Sequence, residues 1–268
     1  AHLPTAEREA LERVDALREH PGIGVSMRCD YGWLLYLDPE HLVLPLPAAA
    51  ATALPKRAVV TDASGSRLQV DGRDFMVLGM NWDYVPIGQN YNYSLWVQPD
   101  DVIEDVLARE MPMLQAMGVN TIRQYVGVPP RWVQHIWEKY GIFTVLNHTV
   151  GRYGLTIDGA WLPNTDYSDP RVRSLLKAEL AALVDQYKDT PGVLMWLLGN
   201  ENNYGLTWKS AETEALPEGE RHAARAEYLY SLFGEIIRDI KQRDPDGLVS
   251  ISNGDLQYVD LIAKHCKG

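Results

Sequence analysis

A (β/α)8-type barrel is the fold this sequence predicts, and three observations predict it. Five short apolar runs alternate with helical segments from Phe75 onward, the pattern of parallel βα units whose strands are buried on both faces. The turn after the first run, GMNWDYVPIG, lacks the GxGxxG spacing that a nucleotide-binding doubly wound sheet carries there. Every run also discharges into hydrogen-bonding side chains at its C-terminal end, where barrel enzymes keep their active sites. The predicted class is α/β, a TIM barrel of which the chain holds about five units, with a small N-terminal α+β region.

The elements follow in order. Leu11, Val14 and Leu17 recur at helical spacing, predicting a charged amphipathic helix over roughly Pro4–His20. IGVSM and GWLLYL read as short β-like runs, and LPLPAAAATALPK as a proline-punctuated linker. Residues 1–56 are therefore expected to form an N-terminal region and residues 57–268 the barrel domain. That domain opens with short strands separated by turn signals at Ser64-Gly65 and Asp71-Gly72. FMVLGMNW is the first barrel strand, and a helix from about Pro99 to Met117 follows, with Asp100, Asp101 and Glu104 complementing its dipole. VNTIRQYV, a helix over Pro130–Tyr140, IFTVLNHTV and a loop to Ser168 come next. The third helix, Asp169–Lys188, takes Asp169 as its N-cap and Pro170 at its first position. GVLMWLLGN, a helix from about Glu220 to Gln242, LVSISNG and the start of a helix at YVDLIAKHC complete the series. The stretch from Phe75 is shorter than the about 250 residues of a full barrel. Either the N-terminal strands join the sheet or the chain is a piece of a longer protein; the second is the expectation, with strands one to five here and the C-terminal part missing.

Composition narrows the function. With 268 residues, 46% hydrophobic and 23% charged, the chain can bury a sizeable core. It has no apolar run long enough to span a membrane. A net charge of -11 disfavours nucleic acid and anionic membranes as partners and fits a neutral substrate. Cys29 and Cys266 show no metal spacing, and two buried thiols fit them better than a disulfide. No cofactor or metal motif is present, and no GxSxG. Oligomeric state stays open. So does compartment, whether periplasmic, secreted or cytoplasmic: no leader is visible before Ala1. Eight tryptophans and fourteen tyrosines against three phenylalanines favour flat rings with a polar edge, as sugar stacking requires.

The strand ends supply the candidate residues. They are Asn81 and Trp82; Arg123 and Tyr125; Asn147 and His148; Asn200 and Glu201; and Asn253. Tyr204 follows shortly after Glu201, and Trp161 and Trp208 are further possible sugar platforms. Each also has a plainer reading. His148 can cap its strand, the aromatics can be packing, and LLGNENNYG can be a strand running into a polar turn.

Three motifs carry a family resemblance over residues 75–268. GVLMWLLGNENN resembles the fourth strand of clan A glycoside hydrolases, which ends in Asn-Glu. LQAMGVNTIRQYV resembles their second strand, and IWEKYGIFTVLN their next helix and third strand. Within the clan the chain is most similar to the barrel domain of family two, the β-galactosidase and β-glucuronidase family. NTIRQY is also similar to β-1,3-glucanosyltransferases. The resemblance implies that Glu201 is the general acid/base, that Asn200 meets the sugar 2-hydroxyl, and that Arg123 holds the nucleophile carboxylate. The clan places that nucleophile on strand seven, so it is expected outside this chain. Gln124-Tyr125-Val126-Gly127 stands where family two has a His pair, which leaves the sugar open. The expectation is a retaining β-glycosidase acting on a neutral oligo- or polysaccharide. The alternatives are a β-glucan transglycosylase of the same clan or, if the chain is complete, a non-catalytic carbohydrate-binding module.

Overall fold

The computed structural model describes residues 54–63, 65–90, 92–125 and 127–266. The expected helix at Pro4–His20, the β-like runs of Gly22–Leu46, the linker up to Ala53 and Cys29 lie outside the described residues. The chain forms two compact units, one of which is represented here by Asp83–Pro99. That segment is held by local turns: Asn90 Oδ1 accepts the Asn92 N–H at 2.9 Å, and the Tyr84 and Tyr93 rings meet edge to face at 6.3 Å. It ends in a 3₁₀ turn, Leu95–Val97.

The other unit is built on a five-stranded parallel sheet. Its strands are β4 (Gly79–Asn81), β5 (Thr121–Tyr125), β6 (Phe143–His148), β9 (Val193–Leu198) and β10 (Leu248–Ile251). Their spatial order is their sequence order, with every neighbouring pair parallel. A doubly wound sheet reverses direction somewhere; this one does not, which is compatible with an arc of a barrel. All five strands predicted from the apolar runs are present, each shorter than its run.

One face of the sheet carries the helices α1 (Asp100–Ala116), α2 (Pro130–Tyr140), α3 (Pro170–Tyr187) and α5 (Glu218–Arg243). Ile122, Leu146, Trp196 and Leu198, which alternate onto this face, are almost wholly buried. The helices begin where their caps put them. Asp169 accepts the Arg171 N–H at 2.8 Å and Pro170 opens α3, as the sequence predicts. In α5, Leu229, Leu232, Phe233, Ile236, Ile237 and Ile240 form one buried stripe at helical spacing.

The opposite face alternates Arg123 and Tyr125 on β5, Val145 and Asn147 on β6, and Met195 and Leu197 on β9. At the start of the strands it is plugged by a small antiparallel sheet of β1 (Arg57–Asp62), β2 (Gly65–Val70) and β3 (Arg73–Asp74). Val70 packs there with Trp137, Phe143, Val145 and Leu194, and Leu68 and Phe75 lie against the cluster. Arg57, buried, donates to the Val193 carbonyl at 2.7 Å and ties β1 to β9. Burial holds its guanidinium below its usual range, although Asp244 and Asp246 oppose the shift.

Two elements depart from the sequence expectation. The loop to Ser168 contains a hairpin, β7 (Leu155–Ile157) paired antiparallel with β8 (Ala160–Leu162). Asp158-Gly159 closes it with φ of 51 and 78°, and such an Asp-Gly pair is the sequence signal that would have found it. A short helix, α4 (Ala211–Glu214), precedes α5, opened by a Ser210 capping box. The remaining helix, α6 (Asp260–His265), buries no residue. No helix among the described residues is long and apolar enough to cross a membrane. Cys266 is a half-buried free thiol whose Sγ donates to the Tyr230 carbonyl at 3.7 Å; burial pushes its pKa up to about 11.

Candidate active site

The site grows from the ends of β5, β6 and β9. Arg123 is the third residue of β5 and points onto the open sheet face, one strand away from Asn147. Its Nε and Nη2 both donate to Asn147 Oδ1, at 3.1 and 2.5 Å, and Nη2 also reaches Asn200 Oδ1 at 2.8 Å. Asn147 is fully buried, and its Nδ2 donates to the Leu197 and Gly199 carbonyls, each at 2.8 Å. Its oxygen thus orients the guanidinium while its amino group closes the end of β9. Arg123 also stacks over the Tyr125 ring at 5.1 Å, and Asn81 on β4 stands opposite Arg123 in the ladder.

Gly199 explains the abrupt end of the LLG run. Its φ of 77° is left-handed, and a Cβ there would sit 2.6 Å from Asn202 Oδ1 and 3.2 Å from the Phe233 ring. The turn it makes folds Asn202 back underneath. Asn202 Oδ1 accepts the Asn200 N–H at 2.7 Å, and its Nδ2 donates to the carbonyls of Thr149 and Val150 and to the Tyr167 hydroxyl, at 3.0, 2.9 and 2.8 Å. Burial raises the Tyr167 pKa, and that hydroxyl donates to the Val150 carbonyl at 2.8 Å. Asn203 is buried too; its amide donates to Asp255 Oδ1 at 3.0 Å and its Oδ1 accepts the Gly254 N–H at 2.8 Å.

Between these anchors Glu201 is exposed, with φ at 59°. Its N–H donates to the Ser252 carbonyl beyond β10 at 2.9 Å, and its own carbonyl accepts the Tyr204 N–H at 2.9 Å. Gly254 lies so close behind that a Cβ would come within 3.0 Å of the Glu201 Cβ and 2.9 Å of the Tyr204 Cβ. On the other flank, Asn200 Nδ2 donates to the Tyr153 hydroxyl at 2.5 Å, and Arg152 Nε donates to the Asn200 carbonyl at 3.1 Å.

Glu201, Asn200, Arg123 and Asn147 are thus brought together, with Tyr125, Tyr204 and Asn81 around them. Three other expected residues face elsewhere. Trp82 is buried against the helix layer, where its indole contacts the Glu110 carboxyl, and its carbonyl accepts the Gln124 amide. His148 follows Asn147 in the strand and so points to the opposite face. Its Nδ1 accepts the Val150 N–H at 3.1 Å and its Nε2 lies 3.4 Å from Glu179 on α3, which is the capping alternative. Asn253 is held by the hydroxyl of Tyr230, on α5, at 3.4 Å. Arg152, Tyr153 and Asn202 stand at or just beyond the strand ends in the sequence but carry no assigned role there, and Asn203 is not singled out. Only the asparagine density of NENN hinted at a bonded corner. Among the described residues no group of three or more His, Cys, Asp or Glu stands together as a metal site.

The chain resembles glycoside hydrolases. In sequence it is 22% identical over 141 residues to a beta-galactosidase of Lactococcus lactis, a match covering 52% of this chain and 12% of that protein. It is 29% identical over 150 residues to a probable 1,3-beta-glucanosyltransferase of Saccharomyces cerevisiae, covering 53% of this chain and 26% of that one. The chain therefore spans only a minor part of either relative. In fold it is similar to beta-glucuronidase 2 of Bacteroides uniformis, solved with a covalently bound cyclophellitol-6-carboxylate aziridine. The TM-score is 0.52 at 16% identity, over 78% of this chain and 22% of that one. A second Bacteroides uniformis beta-glucuronidase structure gives 0.52 at 15% identity. No family model matches. These likenesses agree with a clan A glycoside hydrolase-like fold, the resemblance the three sequence motifs carry.

Proposed function

We propose that this chain carries the acid/base corner of a retaining β-glycosidase acting on a neutral oligo- or polysaccharide, on a sheet that forms one arc of a (β/α)8 barrel. The observation that supports it best is the Arg123–Asn147–Asn200 cluster with Glu201 exposed beside it. Retaining hydrolysis needs one carboxyl to protonate the leaving oxygen as the glycosidic bond breaks, then to take a proton from the attacking water. Glu201 has that role: it is exposed, carried on an anchored turn, and flanked by hydrogen-bonding groups. Asn200 presents its amide toward a sugar hydroxyl, a contact that strengthens in the transition state. Arg123, stacked and doubly bonded, is fixed to orient an anion at the mouth. The nucleophile is assigned to none of the described residues. The chemistry fits the names of the sequence relatives, a beta-galactosidase and a 1,3-beta-glucanosyltransferase.

Transfer to a second sugar is the alternative outcome of the same step, and the exposed aromatic rings around the corner favour it by offering an acceptor a surface. The test is Glu201→Gln in the full-length protein that also supplies the nucleophile, on two substrate classes. Glycosides with poor leaving groups should lose about 10²–10⁴-fold in kcat/KM, whereas activated aryl glycosides, which need little protonation, should lose far less. Equal losses on both would remove Glu201 from the acid/base role.

A further inference from the structure

Among the described residues four aromatic side chains are exposed: Tyr125, Tyr153, Trp161 and Tyr204. All four lie at one end of the parallel sheet, at the end of β5 or in the segments that follow β6 and β9. The other described tryptophans behave differently. Trp82, Trp132, Trp137, Trp196 and Trp208 are buried and Trp96 is half-buried, whereas Trp161 is 60% exposed. All three residues of β8, Ala160, Trp161 and Leu162, are exposed, so the indole completes no core.

Two of the rings are tied to the candidate site through their side chains, and Tyr204 through its backbone. Tyr125 lies under the Arg123 guanidinium, the Tyr153 hydroxyl accepts from Asn200, and the Tyr204 N–H donates to the Glu201 carbonyl. Trp161 extends the series. Its ring rests on Gly154, next to Tyr153, so closely that a Cβ at Gly154 would fall 2.6 Å from Trp161 Cζ2. A glycine with φ of 99° lets the ring lie on the backbone. The hairpin thus holds an indole out in solvent, one residue beyond a tyrosine that is hydrogen-bonded to the catalytic corner.

We propose that Trp161, with Tyr153, forms a further sugar-binding subsite, and that the substrate is a chain of several neutral sugars laid from Glu201 along the segment after β6. This rests on the reading of Glu201 as the point of cleavage. A sugar presents an apolar C–H face to an aromatic ring and hydroxyls to its polar edge, a match for Trp and Tyr that aliphatic side chains lack. An apolar protein partner would call for a contiguous patch of several hundred Å², whereas these rings are spaced and bordered by polar groups. The net charge of -11 disfavours polyanionic glycans.

The experiment is calorimetric titration of the full chain carrying Glu201→Gln, so that ligand is not consumed. The probes are β-1,3- and β-1,4-linked gluco-oligosaccharides, from dimer to hexamer, against Trp161→Ala and Trp161→Phe in the same background. Affinity should rise with chain length in at least one series. Trp161→Ala should weaken the hexamer by about three- to tenfold and flatten that rise, and Trp161→Phe should recover most of it. Because the indole is exposed, both variants should melt like the parent. Hexamer affinity unchanged in Trp161→Ala, no rise with length, or no binding of either hexamer would each overturn the subsite. Hydrolysis that survives Glu201→Gln would instead overturn the acid/base reading and leave the chain-length result standing.

Discussion

Glu201 occupies the left-handed region, which costs a side-chain-bearing residue about 1–2 kcal/mol, so something nearby must hold it there. The Glu201 N–H is fixed to the Ser252 carbonyl, and the residues on either side, Asn200 and Asn202, are bonded to one another. Asn202 does most of this, joining the turn to Thr149, Val150 and Tyr167 through a single buried amide. Replacing it by alanine leaves several buried partners unsatisfied, at about 1–3 kcal/mol for a single such group. Asn202→Ala should therefore lower the stability read from urea unfolding by about 3 kcal/mol, and lower kcat more than it raises KM. A denaturation curve within about 0.5 kcal/mol of wild type, a change ordinary for surface sites, would remove Asn202 from the support of Glu201. At this scale the sequence names the residues that cluster at the corner but not which way each side chain points. His148 and Asn147 are neighbours and look equivalent in sequence. The pleat sends one to α3 and the other to Arg123.

At the scale of elements, the strands and the main helices were legible because each strand is a short apolar run and each helix carries its own punctuation. Asp169-Pro170 marks the start of α3 and Gly141 the end of α2. The terminal helix α6 lacks such support, since it buries nothing and is attached partly by charge. Lys264 Nζ and the His265 ring both reach Glu227 Oε1 on α5, at 2.6 and 2.8 Å. The Lys264 ammonium, helped by His265, holds the Glu227 carboxyl below the usual glutamate range against the opposing effect of partial burial. A folded-state pKa below the unfolded one means that this contribution is complete above the unfolded value and is lost as pH falls through the folded one. The urea midpoint of Glu227→Gln should therefore lie below that of wild type at neutral pH, and the gap should close below the ordinary glutamate pKa of about 4.3. A gap that persists under acid would mean that the attachment is not electrostatic. The β7–β8 hairpin was harder to read, because its strands are three residues each and only Asp158-Gly159 announces it.

For the molecule as a whole, the charge predicts behaviour the fold does not. At a net -11 the chain should pass unretained through immobilised heparin at physiological salt, because like charge opposes binding to a polyanion. Retention that is lost on raising the salt would reveal a basic surface at odds with a neutral-substrate reading. By itself the sequence determined the class of architecture: alternating apolar runs and helices, no phosphate-binding turn, and polar residues at the strand ends. Those properties are local, written in composition and period along one stretch of chain. Only the tertiary structure decided which polar residues meet. Arg123, Asn147 and Asn200 are distant in sequence, and it is the parallel register that brings their side chains into hydrogen bonds. The pleat turns His148 toward α3, packing sets Trp82 against Glu110 and Asn253 against Tyr230, and the β7–β8 hairpin leaves Trp161 in solvent. A side chain's direction depends on strand parity and on what packs against it, and neither is fixed until the elements have come together.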